Sequence, residues 1–271
     1  MTDDVLKRIA DALDRLVPLP KPRANPADAS AWRWDGQGLD AVDRFAPLPL
    51  ALLTGINAQA ETLLANTHRL AAGHAAHDAL LWGARGSGKS ALVKAVVSAV
   101  QAEATPLVLV EAASDALAGL PLLFSVIRDW TVPVVVFLDD LAFETGTGES
   151  RALRSLLEGG AQARPPHVRL YVTSNRRHIV ARGIAEQDSA INIRDVVDDR
   201  LALADRFGLS LGFHVCDQDT WLAMVRGYAT HLGLGFDEAD ALTFAAQRGA
   251  RSGRVAWHYA VELAGRAGTA M

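Results

Sequence analysis

Apolar residues open the chain at helical spacing: Val5, Leu6, Ile9, Leu13 and Leu16 predict an amphipathic helix, which Pro18 and Pro20 terminate. From there to about Pro49 the chain is rich in Pro, Ala, Asp and Gly and predicts an irregular arm. Trp32 and Trp34 lie in it. Packing on the protein's own surface is the expectation for so large an apolar side chain, with a partner site as the alternative. A helix is predicted over Ile56–Leu70, then alternation sets in. Strands are predicted at Leu80–Trp82, Leu107–Val110, Val134–Leu138, Val168–Val172 and Leu209–Phe213. The helices between them are Ser90–Val100, Leu117–Arg128, Arg151–Leu157 and Val196–Arg206. Such alternation predicts an α/β fold, a mainly parallel sheet covered by helices on both faces. After Cys216 only helical periodicity remains, over Asp219–His231, Glu238–Arg248 and Arg254–Arg266. The predicted organisation is an N-terminal helix and arm over 1–48, an α/β core over 49–216 and a helical lid over 217–271.

Composition narrows the function classes. Half of the 271 residues are hydrophobic and 21% are charged, as in a globular protein with a sizeable core. A net charge of -4 supplies no overall basic field for nucleic acid or acidic lipid. No apolar run approaches the roughly 20 residues that a membrane helix needs, and the charged N-terminus lacks the apolar centre of a signal peptide. A single cysteine, Cys216, excludes an intrachain disulfide framework and reads as a buried thiol. These features predict a cytoplasmic protein with no membrane contact. His68, His74 and His77 lie close in sequence, but no further ligands complete a metal site.

The segment Gly83-Ala84-Arg85-Gly86-Ser87-Gly88-Lys89-Ser90, followed by Ala91, fits the phosphate-binding pattern G-x-x-x-x-G-K-[ST] without a mismatch, between a predicted strand and a predicted helix. Glycines let the backbone curl so that successive N–H groups face the phosphates, at the positive end of the following helix. Lys89 is expected to reach the β- and γ-phosphates, and the Ser90 hydroxyl to join a Mg²⁺ shell. A second element, a carboxylate at the end of a buried strand, is required for that metal. Val134-Val135-Val136-Phe137-Leu138-Asp139-Asp140 supplies it, with Asp139 emerging at the carboxyl end of a buried strand. Asp140 stands where a glutamate commonly polarises the attacking water. Its shorter arm predicts slow hydrolysis, with Glu144 as the alternative water-positioning group.

The order of LLWGARGSGKSALVKA, FLDDLAFE, SLLEGG, YVTSNRRH and LADRFGLSLGFHVCDQDTWLAMV resembles the bacterial AAA+ family known as domain of unknown function 815, from about Leu53 to about Ala264. The run Asp199–Leu209 is also similar to the arginine-finger segment of DnaA-type replication initiators. The resemblance implies an AAA+ P-loop fold with a five-stranded sheet and a helical lid, and the cofactors ATP and Mg²⁺. It implies that Asn175 senses the γ-phosphate and that Arg206 acts on a neighbouring subunit's nucleotide in a homo-oligomer. It further implies that Arg254 contacts nucleotide from the lid, with Arg251, one turn away, able to do the same. Arg176 and Arg177 follow the sensor and are expected to face either an adjacent subunit or a nucleic-acid backbone, or to be solvated; the acidic stretch Ala185–Asp199 is read as a loop that engages a partner or a pore, or as a solvated connector. The implied activity is ATP hydrolysis that remodels or loads a protein or nucleic-acid client. A switch that binds ATP without hydrolysing it is the alternative.

Overall fold

The computed structural model describes residues 24–141, 164–175 and 205–269, together with residues 4, 5, 7, 8 and 157. The strands are β1 (Ala31–Trp34), β2 (Leu39–Ala41), β3 (Ala79–Gly83), β4 (Val108–Ala112), β5 (Val134–Leu138), β6 (Val168–Ser174) and β7 (Leu209–Phe213). The helices are α1 (Asn57–Ala71), α2 (Lys89–Ala102), α3 (Leu120–Ile127), α4 (Gln218–His231), α5 (Glu238–Gln247) and α6 (Gly253–Arg266). Among the described residues the strands form one sheet in the order β2-β1-β4-β5-β6-β3-β7, parallel except for the β1–β2 pair.

The alternation of side chains across the strands divides the core in two. Val134, Val136 and Leu138 of β5 face one layer with Phe124 and Ile127 of α3. Val135 and Phe137 face the other, with Leu63 of α1 and Leu92 and Val96 of α2. All five residues of β5 are buried, as a central parallel strand covered on both faces requires. The C-terminal helices close on a third core of their own, built around Trp221, Val225, Tyr228 and Tyr259. Their starts are fixed by side-chain caps. Asp217 accepts from the Thr220 N–H (2.8 Å), Asp237 from the Asp240 N–H (2.9 Å) and Ser252 from the Val255 N–H (3.3 Å).

The structure corrects several expectations. Among the described residues the sheet has seven strands, not five, and the additional two come from the arm predicted to be irregular. β1 pairs with β4, and Trp32 and Trp34 are buried in the α3 layer, Trp34 completely, so both pack on the protein's own core. The β1–β2 turn is short and built on Asp35, whose Oδ1 accepts from the N–H groups of Gln37 (2.9 Å) and Gly38 (2.8 Å). Four- and three-residue strands amid prolines present too little alternation to register as a hairpin. The predicted helix Leu117–Arg128 splits into a 3-10 segment, Ser114–Gly119, and α3, with Pro121 in the first turn. Cys216 is half-buried, packed against the third core and lining a cleft. Glu144, Arg176, Arg177, residues 185–199 and most of the predicted helices 5–16, 151–157 and 196–206 lie outside the described residues. No helix among the described residues is long and apolar enough to cross a membrane.

Candidate functional site

The glycine-rich segment leaves the C-terminal end of β3 and enters α2. Backbone geometry explains its composition: Gly83, Gly86 and Gly88 have φ of 131°, 76° and 96°, in the range that favours glycine. Space is also limited at two of them. A Cβ on Gly83 would meet the Phe213 carbonyl oxygen at 2.0 Å, and one on Gly86 would meet the Ser252 hydroxyl at 3.0 Å. Gly88 is the left-handed N-cap of α2, so the loop delivers the free N–H groups of a helix start into the site.

Lys89 is only 4% exposed. Its ammonium donates to the carbonyls of Ala84 (2.7 Å) and Gly83 (3.1 Å), inside the curl of the loop. Burial pushes its pKa from 10.5 down to about 8. Asp140 and Asp139 oppose that shift, and the Arg254 guanidinium adds to it. Ser87 Oγ donates to the Ala84 carbonyl (2.7 Å) and braces the same turn.

Across from the loop, β5 and β6 end side by side. Ser90 Oγ donates to Asp139 Oδ1 at 2.6 Å, and Thr173 Oγ1 donates to the same oxygen at 2.5 Å. Asp140 has φ of 56°, a left-handed conformation uncommon for a residue with a side chain. Its N–H donates to Thr173 Oγ1 at 2.8 Å, and its carboxylate accepts from the Asn175 side-chain amide. The start of α6 joins the arrangement: the Arg254 N–H donates to the Gly86 carbonyl at 3.2 Å. A recess of about 210 Å³ is lined together by Arg85, Gly86, Gly88, Lys89, Ser90, Ala91, Asp139, Asp140, Asn175 and Arg254.

A larger cleft of about 620 Å³ adjoins it, between the sheet and the C-terminal helices, with Arg85 bordering both. Ala84 and Ser87 line it, as do Gly55 and Ile56 before α1, His214–Asp217 after β7, Thr220 and Met224 of α4, and Arg251. The sequence reading missed this cleft, since its walls come from segments that carry no motif and meet only in the fold. Thr173 was also missed as a site residue, though it stands in the quoted Thr173-Ser174-Asn175 run, two residues before Asn175 and therefore on the same side of the strand.

Arg206 is not brought to this recess. It sits in the turn before β7, and the residues of the predicted helix that precede it, 196–204, lie outside the described residues. β7 begins opposite Ala79 and ends opposite Gly83, so Arg206 lies at the edge of the sheet away from the glycine-rich loop. The length of β7 separates them, about 13 Å at strand rise. Among the described residues no group of three or more His, Cys, Asp or Glu is placed to hold a metal. The Ser90–Asp139 oxygen pair nevertheless fits Mg²⁺, a hard cation that takes one or two protein oxygens and completes its shell with phosphates and water.

The family described as protein of unknown function (DUF815) matches residues 26–267, and the chain belongs to that family. No match was found among curated proteins. Among solved structures, the Thermotoga maritima RuvB Holliday junction branch migration motor is similar over 83% of this chain and 68% of its own, at 15% identity and a TM-score of 0.51. Aeropyrum pernix Orc1, solved in complex with DNA, is similar over 83% of this chain and 66% of its own, at 14% identity and a TM-score of 0.57. The fold is the α/β fold of AAA+ P-loop NTPases, with helices on both faces of a parallel sheet.

Proposed function

We propose that this protein binds ATP·Mg²⁺ in the recess between core and lid and hydrolyses it slowly, at the interface between copies of itself. The observation that carries this reading is the Ser90–Asp139 hydrogen bond beside the buried Lys89 ammonium. It sets a hydroxyl, a carboxylate and a cation at the mouth of a glycine-rich anion cradle. Gly83–Ala91 would wrap the phosphates with backbone N–H groups and the α2 N-terminus. Ser90 and Asp139 would hold Mg²⁺, whose charge would offset that of the phosphates. The neighbouring cleft has room for the base and ribose, where Ile56 and Met224 offer apolar contacts.

Asp140 and Asn175 are the groups placed to orient a water at the terminal phosphate. Asp140 is one methylene shorter than glutamate, and its carboxylate is engaged by Asn175, which supports slow turnover. That engagement also favours a second reading, a switch driven by ATP binding alone. Arg254 lines the recess from α6, so contact with a phosphate would tie the lid to the nucleotide state. Arg206, at the opposite edge of the sheet, would serve the nucleotide of a neighbouring copy, where a guanidinium neutralises transition-state charge. A homo-oligomer follows from that role. The client is a protein or a nucleic acid that the assembly remodels or loads; the similar structures are a Holliday junction motor and a DNA-bound Orc1. A cytoplasmic setting fits this reading.

The test is Mg²⁺-dependent binding of ATP followed by phosphate release, for the wild type, Lys89→Ala and Asp139→Asn. Tight binding with measurable release in the wild type, abolished by Lys89→Ala, supports hydrolysis. Tight binding without release supports the switch. No binding at millimolar ATP overturns both.

A further inference from the structure

Thr173 is 1% exposed at the tip of β6, and its hydroxyl is used twice. It donates to Asp139 Oδ1 at 2.5 Å and accepts the Asp140 N–H at 2.8 Å. On either side the strand ends are stitched by backbone and side chain: the Leu141 N–H donates to the Thr173 carbonyl (2.9 Å) and Ser174 Oγ donates to the Leu141 carbonyl (3.0 Å). Asp140 therefore lies in a one-residue fold of the chain over Thr173, in the left-handed conformation, with its N–H turned inward to the hydroxyl.

From this geometry we propose that Thr173 is a positioning residue of the site, fixing the Asp139 carboxylate toward Ser90 and holding the turn that presents Asp140 to Asn175. The inference deepens the ATP·Mg²⁺ reading and rests on it. Two physical points carry it. Asp139 Oδ1 already accepts from Ser90, so a second hydroxyl donor, from the adjacent strand β6, fixes the carboxylate's rotamer. This is how outer partners of metal-binding groups commonly act. The Asp140 N–H also needs an acceptor in that turn, and Thr173 Oγ1 supplies it where the strand ladder does not. Valine has the same shape without the hydroxyl, and serine keeps the hydroxyl without the methyl.

The experiment measures Mn²⁺ affinity in the presence of a non-hydrolysable ATP analogue by paramagnetic resonance. The Mg²⁺ dependence of phosphate release and the melting temperature are recorded alongside, for the wild type, Thr173→Val and Thr173→Ser. Thr173→Val is expected to weaken Mn²⁺ binding and raise the half-saturating Mg²⁺ concentration by about tenfold or more. Metal-free nucleotide affinity should stay within about twofold, and Thr173→Ser should restore metal affinity to within about threefold of the wild type. If Thr173→Val does not fold, Thr173→Ala is read in its place. Metal affinity unchanged in the hydroxyl-free variant, or equally lost in Thr173→Ser, overturns the inference while leaving the ATP·Mg²⁺ reading in force. A wild type that binds no metal–nucleotide complex overturns both.

Discussion

Ser90, in the first turn of α2, and Asp139, at the end of β5, are 49 residues apart in sequence and 2.6 Å apart through hydroxyl and carboxylate. The contact exists because β3 and β5 flank β6 in a parallel sheet, so their C-terminal ends open on the same edge. If this pair holds Mg²⁺, Ser90→Ala weakens Mg²⁺-dependent nucleotide binding by roughly 10- to 100-fold, while Ser90→Thr keeps it. Calorimetry with and without EDTA checks this. Equal affinity in Ser90→Ala and wild type argues against the pair as a metal site.

Lys89 gives a pH signature. Its pKa lies near 8 in the folded protein against 10.5 ordinarily, so the folded state holds fewer protons than the unfolded state between those values. Stability of the nucleotide-free protein should therefore rise with pH from about 8 to about 10.5 through this group, and the rise should vanish in Lys89→Met. Binding runs the opposite way. Phosphates favour the ammonium, so ATP affinity should fall above pH 8 by up to about tenfold per unit, and stay flat over that window in Lys89→Met. Denaturation midpoints and ATP titrations at several pH values measure the two slopes.

Gly83 and Gly73 separate strain from crowding. Both have positive φ, but a Cβ at Gly73 meets nothing within 4 Å, whereas one at Gly83 would press on the Phe213 backbone. Gly73→Ala should cost about 1 kcal/mol, the left-handed penalty alone. Gly83→Ala should cost more than about 3 kcal/mol, since backbone must shift as well. Urea midpoints of the two variants give the comparison.

Trp34 is fully buried, and among the described residues its indole N–H has no hydrogen-bond partner. Trp34→Phe removes that unsatisfied donor while opening a small cavity, so the two effects largely offset and stability should change by less than about 1.5 kcal/mol. Trp34→Ala has only the cavity and should lose about 3–5 kcal/mol. Thermal melts decide it. A Trp34→Phe loss as large as that of Trp34→Ala would show the indole N–H to be satisfied in solution.

The core was legible in the sequence where local chemistry is self-sufficient. An apolar run such as Val134–Leu138 has one outcome in a covered sheet, and the spacing of Gly83–Ser90 has one backbone solution around an anion. The three C-terminal helices were also legible, from their helical periodicity. What escaped depends on distant partners. Trp32 and Trp34 become strand residues only because β4 offers an open edge, a fact about tertiary assembly that four residues cannot encode. The cleft between Ile56, Asp217, Met224 and Arg251 is likewise a product of docking. Thr173 was read only as a member of the YVTSNRRH run that carries Asn175. Its hydroxyl acquires a role because β5 ends beside it and Asp140 folds over it. Arg206 stands in the short turn that brings the chain into register with Ala79, and the helix predicted to end there lies almost wholly outside the described residues.

The most direct test of shared-site hydrolysis is specific ATPase activity as a function of protein concentration, for the wild type, Arg206→Ala and an equal mixture of Arg206→Ala with Lys89→Ala. An arginine acting across an interface is worth about 10³–10⁵ in rate in fast enzymes. Here the predicted loss in Arg206→Ala is at least about tenfold, with wild-type activity per subunit rising with concentration. The mixture should regain activity, because Lys89→Ala subunits supply an intact Arg206 to the intact loop of their neighbours. Activity independent of concentration and unchanged by Arg206→Ala would contradict hydrolysis at an interface and place the whole reaction within one chain.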